Sequence, residues 1–202
     1  MSIAFDRAAG FYDESRGLRP EVSELVADRV EEAVGPEGRL LEIGVGTGRI
    51  ALPLHRRGRL VVGLDLSVPM LARYRAKAAA AGLPPPPVLR GDATRLPLRD
   101  ACVDAVLEVH VLHLIPAWER VLAEARRALA PGGVLLQAGG GRYQRGSGSP
   151  RDQVIGRFDE LAAADGRTPR LVGATHRQVL DQLAAMGGQV SRRRGPGTGW
   201  EP

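Results

Sequence analysis

A turn with three glycines, set between a mostly apolar stretch and a helix-like pattern, constrains the fold of this chain most. Residues 39–43 form the stretch, and Gly44, Gly46 and Gly48 follow it with the spacing G-x-G-x-G. Apolar residues then recur at helical intervals. Because glycine lacks a Cβ atom and the start of a helix carries free N–H groups, a ligand can approach such a backbone closely. The order of strand, glycine turn and helix therefore predicts a nucleotide-binding turn.

The spacing of these glycines separates two kinds of nucleotide-binding fold. Dinucleotide-binding proteins carry the pattern G-x-G-x-x-G, but Arg49 occupies the position of its third glycine here. The spacing therefore argues against a nicotinamide-dependent oxidoreductase, which stays a less favoured alternative.

Strand-like and helix-like patterns alternate along the chain. Strands are predicted at 39–43, 60–64, 88–90, 103–109 and 134–138, and helices at 20–34, 48–57, 68–81 and 117–130. Repeated strand–helix units with nearly continuous apolar strands form a mainly parallel sheet with helices on both faces. The predicted fold class is therefore α/β, a three-layer Rossmann-like sandwich, in which ligands bind beyond the carboxyl ends of the strands.

A single domain is predicted to contain all 202 residues. Its predicted parts are N-terminal helices at 1–35, a ligand-binding core at 38–140, a variable segment at 141–172 and a C-terminal part at 173–202. Within the last two parts, the pattern predicts helices at 151–165 and 175–186 and a weak strand at 189–193.

Composition and charge argue against several classes of protein. The net charge of +5 comes mostly from arginine, and the one arginine cluster, Arg192 to Arg194, contains no aromatic residue, so a nucleic-acid-binding surface is not predicted. The N-terminus has no apolar leader, and the most apolar window, 103–115, is too short and too charged to cross a membrane. Cys102 is the only cysteine, which excludes an internal disulfide and favours a cytoplasmic location.

Five short blocks of sequence carry a family resemblance. They are Phe5–Asp13, Leu41–Gly48, Gly63–Ser67, Gly91–Ala93 with Leu96–Pro97, and Pro131–Gly133. In this order and at this spacing, over residues 5–138, the blocks resemble class I S-adenosylmethionine-dependent methyltransferases, in particular the small-molecule type related to ubiquinone and menaquinone biosynthesis. The resemblance implies S-adenosylmethionine as the cofactor and a small-molecule substrate. No metal site is predicted.

The resemblance also implies roles for individual residues in cofactor binding. Asp65 would accept from the ribose hydroxyls, Asp92 would take the adenine amino group, and Glu42 would help to hold the charged amino-acid end. The other residues expected to line the cofactor are Tyr12, Arg16, Gly44, Val45, Gly46, Gly48, Leu66, Met70, Ala93 and Glu108. The first two belong to an N-terminal segment that, in relatives, folds over the cofactor.

Structural roles stay open for several of these groups. Glu42 could form a salt bridge elsewhere, Asp65 could cap the next helix, and Asp92 could form an Asx turn. The N-terminal segment could simply pack on the sheet.

The sequence does not identify the catalytic residues. The candidates His110 and His113 follow the fourth predicted strand, and histidine is a natural general base near neutral pH. Either ring could instead pack or contact the substrate, because a sulfonium leaves readily and in-line positioning supplies much of the rate. The segment 141–172 is expected to cover the substrate, and the acceptor atom is not predicted.

The C-terminal part departs from the family pattern. The family sheet has seven strands, but no apolar run remains here for a seventh, so the C-terminal strand is predicted to be missing and residues 189–193 to pair beside 134–138 or to fray. A non-catalytic protein that keeps the fold is therefore a further alternative. A nucleic-acid methyltransferase is disfavoured, because Glu108–Val111 stands where an Asn-Pro-Pro-Tyr-like block would be expected.

Overall fold

The computed structural model describes residues 6–35, 37–138, 173–189 and 191 of the chain. Its strands are β1 (Leu40–Ile43), β2 (Val61–Asp65), β3 (Val88–Arg90), β4 (Val103–Val109) and β5 (Leu129–Ala138). Its helices are α1 (Tyr12–Arg16), α2 (Pro20–Val34), α3 (Ala51–Arg56), α4 (Val68–Ala80), α5 (Trp118–Ala128) and α6 (His176–Ala185), with 3-10 turns at Asp6–Ala8 and Leu112–Leu114. None of these helices is long and apolar enough to cross a bilayer.

The described strands form one sheet in the order β3–β2–β1–β4–β5, and every neighbouring pair is parallel. The chain runs outward from β1 to β2 and β3 and then returns to β4 on the other side of β1. The carboxyl ends of β1 and β4 therefore flank the crevice at which the strand order reverses, the usual ligand position in such sheets. The prediction of a parallel α/β sheet is confirmed.

Helices cover both faces of this sheet. Because side chains alternate along a strand, Leu41 and Ile43 of β1 pack with α5 and α6, whereas Leu40 packs with α2, α3 and α4 on the opposite face. All four residues of β1 are buried, which explains why the central strand is nearly continuous in apolar residues. The predicted three-layer Rossmann-like sandwich is confirmed.

Some predicted boundaries differ from the structure. The helix predicted from residue 48 begins at Ala51, because Gly48 has a left-handed φ of 75° and belongs to the turn. The helix predicted to end at residue 130 ends at Ala128, and the following strand begins at Leu129 rather than at 134. Leu129 pairs with Val103 and Val134 pairs with Ala105, so the residues between Leu129 and Val134 form an irregularity within the strand, where the sequence predicts the end of the helix at Pro131–Gly133.

The C-terminal predictions are only partly open to comparison. The helix predicted at 175–186 is present as α6, with Thr175 as its N-cap and Gln178 completing a capping box. Of the strand predicted at 189–193, Gln189 and Ser191 are described and lie in no strand. The rest of that strand, the segment 141–172 and the helix predicted at 151–165 lie outside the described residues.

Candidate functional site

The central strands bring the predicted site residues to one edge of the sheet. Ile43 at the end of β1 is level with Leu64 of β2 and with Glu108 of β4. The glycine turn that follows β1 and the loops that follow β2, β3 and β4 therefore meet at the carboxyl edge. This is where the sequence places all the candidate residues outside the N-terminal segment.

The Asp65 carboxylate ties the glycine turn to the start of α4. Its Oδ2 atom accepts a hydrogen bond from the Gly46 amide at 2.9 Å, and its Oδ1 atom accepts one from the Ser67 amide at 2.8 Å. Ser67 itself caps α4, because its Oγ accepts from the Met70 amide. Burial raises the pKa of Asp65, and the backbone amides oppose that rise. Since a carboxylate has about four acceptor positions, both oxygens can also accept from a ligand's hydroxyl groups.

Glycine is required at the three positions of the turn for different structural reasons. Gly44, Gly46 and Gly48 all have positive φ values, of 71°, 54° and 75°. A Cβ atom on Gly44 would lie 2.7 Å from Val111 Cγ2, and one on Gly48 would overlap the Tyr74 ring. Near a Cβ atom on Gly46, the described chain places only the Gly44 carbonyl oxygen, at 4.0 Å. Gly46 therefore borders space that a ligand can fill, whereas the other two glycines permit close packing.

Other predicted site residues are buried or half-buried at this edge of the sheet. Val45 is buried against β2, where a Cβ atom on Gly63 would lie 2.8 Å from Val45 Cγ1. Met70 and Ala93 are buried, and Leu66 is half-buried. The side chain of Val45 therefore faces the protein, so this residue can offer a ligand only its backbone.

Two buried glutamates lie at the ends of β1 and β4, on opposite faces of the sheet. Burial raises the pKa of Glu42 to about 8, although Arg49 and the Ala51 amide at the start of α3 favour its ionised form. Burial raises the pKa of Glu108 to about 7, although its Oε1 atom accepts from the Leu112 amide at 3.1 Å. Within the described ranges, the Oε2 atom of each glutamate has no hydrogen-bond partner. Each carboxylate can therefore accept from a further donor.

Asp92 forms a local turn at the start of the loop after β3. Its Oδ1 atom accepts hydrogen bonds from the amide and the hydroxyl of Thr94, each at 2.9 Å. This is the Asx-type turn that the sequence left open as the structural alternative. The turn fixes the orientation of the carboxylate at the carboxyl edge and is compatible with a second bond to a ligand.

The two candidate histidines follow β4. His110 has a left-handed φ of 57°, unusual for a residue with a side chain, and its amide donates to the Ala138 carbonyl at 3.0 Å. Partial desolvation of this exposed residue and the positive charges of Arg49, His113 and Arg16 lower the pKa of His110 to about 4. Desolvation and Arg16 also lower the pKa of His113. The His110 ring is therefore neutral at pH 7 and can accept a proton.

Helix α1 is tied to the glycine turn by polar contacts. Asp13 Oδ1 accepts from Thr47 Oγ1 at 2.6 Å, and Asp13 Oδ2 accepts from Lys77 Nζ of α4 at 3.1 Å. Arg49 Nη1 donates to the carbonyl oxygen of Arg16 at 2.9 Å. The N-terminal segment thus contacts the turn on both sides of its last glycine.

Sequence reasoning assigned no role to three residues that the structure brings to the site. Asp13 stands beside Tyr12 in the first resemblance block, and Thr47 stands between two glycines of the turn, so both positions carried a signal. Tyr74 follows Met70 by four residues on the face of α4 that packs toward the sheet, which predicts burial but not contact with the glycine turn. Of the two N-terminal residues that were predicted, Tyr12 is half-buried and Arg16 is exposed.

Known proteins are similar to this chain in sequence and in architecture. Residues 41–137 match a sequence family described as a methyltransferase domain. The chain is 33% identical over 186 residues to a phosphatidylethanolamine N-methyltransferase of Cereibacter sphaeroides, across 90% of this chain and 89% of that protein. It is 43% identical over 100 residues to the demethylmenaquinone methyltransferase of Thermus thermophilus, across 48% of this chain and only 45% of that relative.

A solved structure from Thermotoga maritima also resembles this chain. It is described as an S-adenosylmethionine-dependent methyltransferase, possibly a histamine N-methyltransferase, and matches with a TM-score of 0.62 and 27% identity over 91% of this chain and 79% of that one. The chain therefore belongs to the class I S-adenosylmethionine-dependent methyltransferases. It is an enzyme for methyl transfer from S-adenosylmethionine to small molecules, as predicted, and the oxidoreductase and non-catalytic alternatives are not favoured.

Because Glu108 is buried, we expect the stability of the protein to depend on pH. Its pKa is about 7 in the folded chain against an ordinary value of 4.5, so the folded chain keeps a proton that the unfolded chain has released between these values. The contribution of Glu108 to the free energy of unfolding is therefore fully present below pH 4.5, and it is lost as the pH rises to 7. Relative to Glu108→Gln, the free energy of unfolding of the wild-type protein should fall by about 1 kcal/mol per pH unit across this window.

Urea unfolding of both proteins at pH 5, 6, 7 and 8 measures this difference. The control is Glu119→Gln, which changes an exposed glutamate on α5 and should keep the wild-type profile. Parallel profiles for wild type and Glu108→Gln would contradict the assignment.

Proposed function

We propose that the crevice between β1 and β4 holds S-adenosylmethionine, with the sugar at Asp65 and the amino-acid end at Gly46 and Glu42. The observation that best supports this placement is the Asp65 carboxylate, which two backbone segments hold at the end of β2 with acceptor capacity to spare. When bound, the cofactor supplies an electrophilic methyl group on a sulfonium that leaves readily. Catalysis by the protein then consists mainly of holding the acceptor in line with that methyl group.

The described residues fit such a cofactor. Gly46 borders space that a ligand can fill, and Glu42 lies buried at the start of the same turn, two residues before Gly44. Asp92 and the Ala93 amide stand at the carboxyl edge beyond β3, where they can meet the adenine ring. Leu66 and Met70 border the same region from the start of α4.

We infer that the acceptor approaches the loop formed by residues 110–113. Glu108 positions this loop by accepting from the Leu112 amide at 3.1 Å and, more weakly, from the Val111 amide at 3.4 Å. The neutral His110 ring can accept a proton from an acceptor that loses one, whereas His113 can equally serve as a contact. The names of two relatives indicate that one acts on a phospholipid and the other on a quinone. These names support a small-molecule acceptor for this chain.

The proposed cofactor site also suggests how the parts of the chain are organised. We propose one domain in which residues 1–35 cover the cofactor and residues 38–140 bind it, followed by the parts at 141–172 and 173–202. A cytoplasmic location is part of the same proposal, supported by the single cysteine of the sequence.

Removal of the Asp65 carboxylate tests the cofactor site. Isothermal titration of wild-type protein with S-adenosylmethionine should give micromolar binding, and NAD should give none. Asp65→Ala should weaken S-adenosylmethionine binding about 100-fold, since hydrogen bonds to a charged group contribute about 1.5–3 kcal/mol. Asp100→Asn, which changes an exposed carboxylate, is the control. Binding of NAD in preference to S-adenosylmethionine would contradict the proposal.

The contact between Asp13 and the glycine turn tests the covering role of α1. Asp13→Asn should weaken the bonds to Thr47 and Lys77, so that the cover opens more often and S-adenosylhomocysteine dissociates about three to ten times faster. Stopped-flow fluorescence with a competing ligand measures this rate.

Asp28→Asn is the matched control for the cover. It also removes a carboxylate from an ion pair, with Arg57 on the α2–α3 side, but Arg57 keeps Glu24 and Glu31 as partners. An equal dissociation rate for Asp13→Asn and Asp28→Asn would show that α1 does not cover the cofactor.

A further inference from the structure

Two side chains of α5 hold the loop between β3 and β4 by its backbone. Glu124 Oε2 accepts a hydrogen bond from the Leu96 amide at 2.8 Å, and Arg127 Nη2 donates to the Leu96 carbonyl oxygen at 3.2 Å. Arg127 Nη1 also donates to the Leu98 carbonyl oxygen at 2.8 Å. Both polar backbone groups of Leu96 are therefore bonded to α5. We call Glu124 and Arg127 together the α5 clamp.

The two residues of the α5 clamp also orient each other. Glu124 Oε1 accepts from Arg127 Nε at 2.9 Å, and Glu124 Oε2 accepts from Arg127 Nη2 at 2.8 Å. Two parallel bonds between a guanidinium and a carboxylate fix their relative geometry more strictly than one bond does. Both side chains are half-buried, so salt screens this pair less than an exposed one. The remaining bond of Arg127, to the exposed Asp100, is a surface ion pair that contributes little.

The loop that the α5 clamp holds contains the residues proposed for the adenine ring. Asp92 Oδ1 accepts from the amide and the hydroxyl of Thr94, and the Arg95 amide donates to the Asp92 carbonyl oxygen at 3.0 Å. Residues 92–95 therefore form a closed turn. Both side-chain bonds of this turn use Oδ1, so Oδ2 can accept from a ligand.

This turn is anchored at both of its ends. On the side of β3, the Gly91 amide donates to the Asp65 carbonyl oxygen at 3.0 Å. On the other side, Leu96 follows the turn directly and is bonded to the α5 clamp. Ala93 and Leu96 are also buried in the core cluster that contains the inner face of α5. The orientation of the turn therefore depends on α5 as well as on β2.

We propose that Glu124 and Arg127 are positioning residues for the adenine ring, which hold the Asp92 carboxylate in the orientation that accepts from the adenine amino group. This inference rests on the proposed function, because it needs the adenine ring at Asp92. The α5 clamp acts through the backbone of Leu96 and needs no contact with the ligand. A carboxylate discriminates between ligands best when it is held in place, because a loosely held one can turn to water.

The ratio of two dissociation constants tests this role. S-inosylhomocysteine carries an oxygen in place of the adenine amino group of S-adenosylhomocysteine, so the Asp92 carboxylate loses a donor and faces an acceptor. Wild-type protein should therefore bind S-inosylhomocysteine about 30 times more weakly than S-adenosylhomocysteine. Arg127→Lys keeps the charge but loses the planar set of donors, so it should reduce this ratio to about three. Isothermal titration measures both constants.

The two ligands together distinguish positioning from a purely structural role. Arg127→Lys should lower the melting temperature in either case, because the loop loses bonds to α5. A purely structural role would weaken the binding of both ligands by the same factor and leave the ratio unchanged. Positioning instead weakens the binding of S-adenosylhomocysteine about tenfold and that of S-inosylhomocysteine less than about twofold.

Two further variants complete the test. Glu124→Gln replaces one carboxylate oxygen with an amide donor, so either the Leu96 amide or the Arg127 guanidinium loses an acceptor. The ratio should then fall about threefold, and this variant decides the question if Arg127→Lys does not fold. Arg126→Lys is the matched control, because it makes the same change at an exposed position of α5 and should keep the wild-type ratio.

The outcomes separate this inference from the function on which it rests. If Arg127→Lys and Glu124→Gln keep the wild-type ratio, the inference is wrong while the cofactor site stands. If wild-type protein binds both ligands equally well, the adenine amino group does not meet Asp92, and the inference fails although the cofactor still binds. If wild-type protein binds neither ligand, the proposed function and the inference both fail.

Discussion

The half-buried carboxylate of Asp65 makes the contacts on which the geometry of the site depends. It accepts from an amide of the glycine turn and from an amide before α4, so one side chain at the end of β2 fixes two loops. Because Ser67 caps α4 independently, Asp65 is not needed as the helix cap. The sheet places this carboxylate at the carboxyl end of β2, next to β1, and the proposed positions of the ribose, the adenine and the amino-acid end all depend on it.

Buried acidic groups give this edge of the sheet its chemical character. Glu42 and Glu108 are both fully enclosed, and burial raises the pKa of each toward neutrality, at a cost to folding stability. Neither carboxylate has its full set of donors among the described residues. Buried carboxyl groups with raised pKa values cluster at functional sites, which supports the proposal that this edge of the sheet binds the cofactor.

Sequence patterns were sufficient for the sheet and insufficient for the contacts around it. The buried strand β1 was predicted to within one residue, because a parallel strand covered on both faces is continuously apolar. The start of α3 was missed, because the backbone angle of Gly48 cannot be seen in the sequence. The bond between Asp13 and Thr47 joins residues 34 positions apart, and the burial of the Tyr74 hydroxyl depends on how α4 meets the turn. Such facts require three-dimensional packing.

A crystal structure of the protein with S-adenosylhomocysteine tests the central claim most directly. The account predicts ribose density within hydrogen-bonding distance of the Asp65 carboxylate and the amino-acid end beside Gly46, with α1 closed over the ligand. A ligand bound away from the carboxyl ends of β1 and β2, or an Asp65 carboxylate that keeps its backbone bonds and makes none to the ligand, would contradict it.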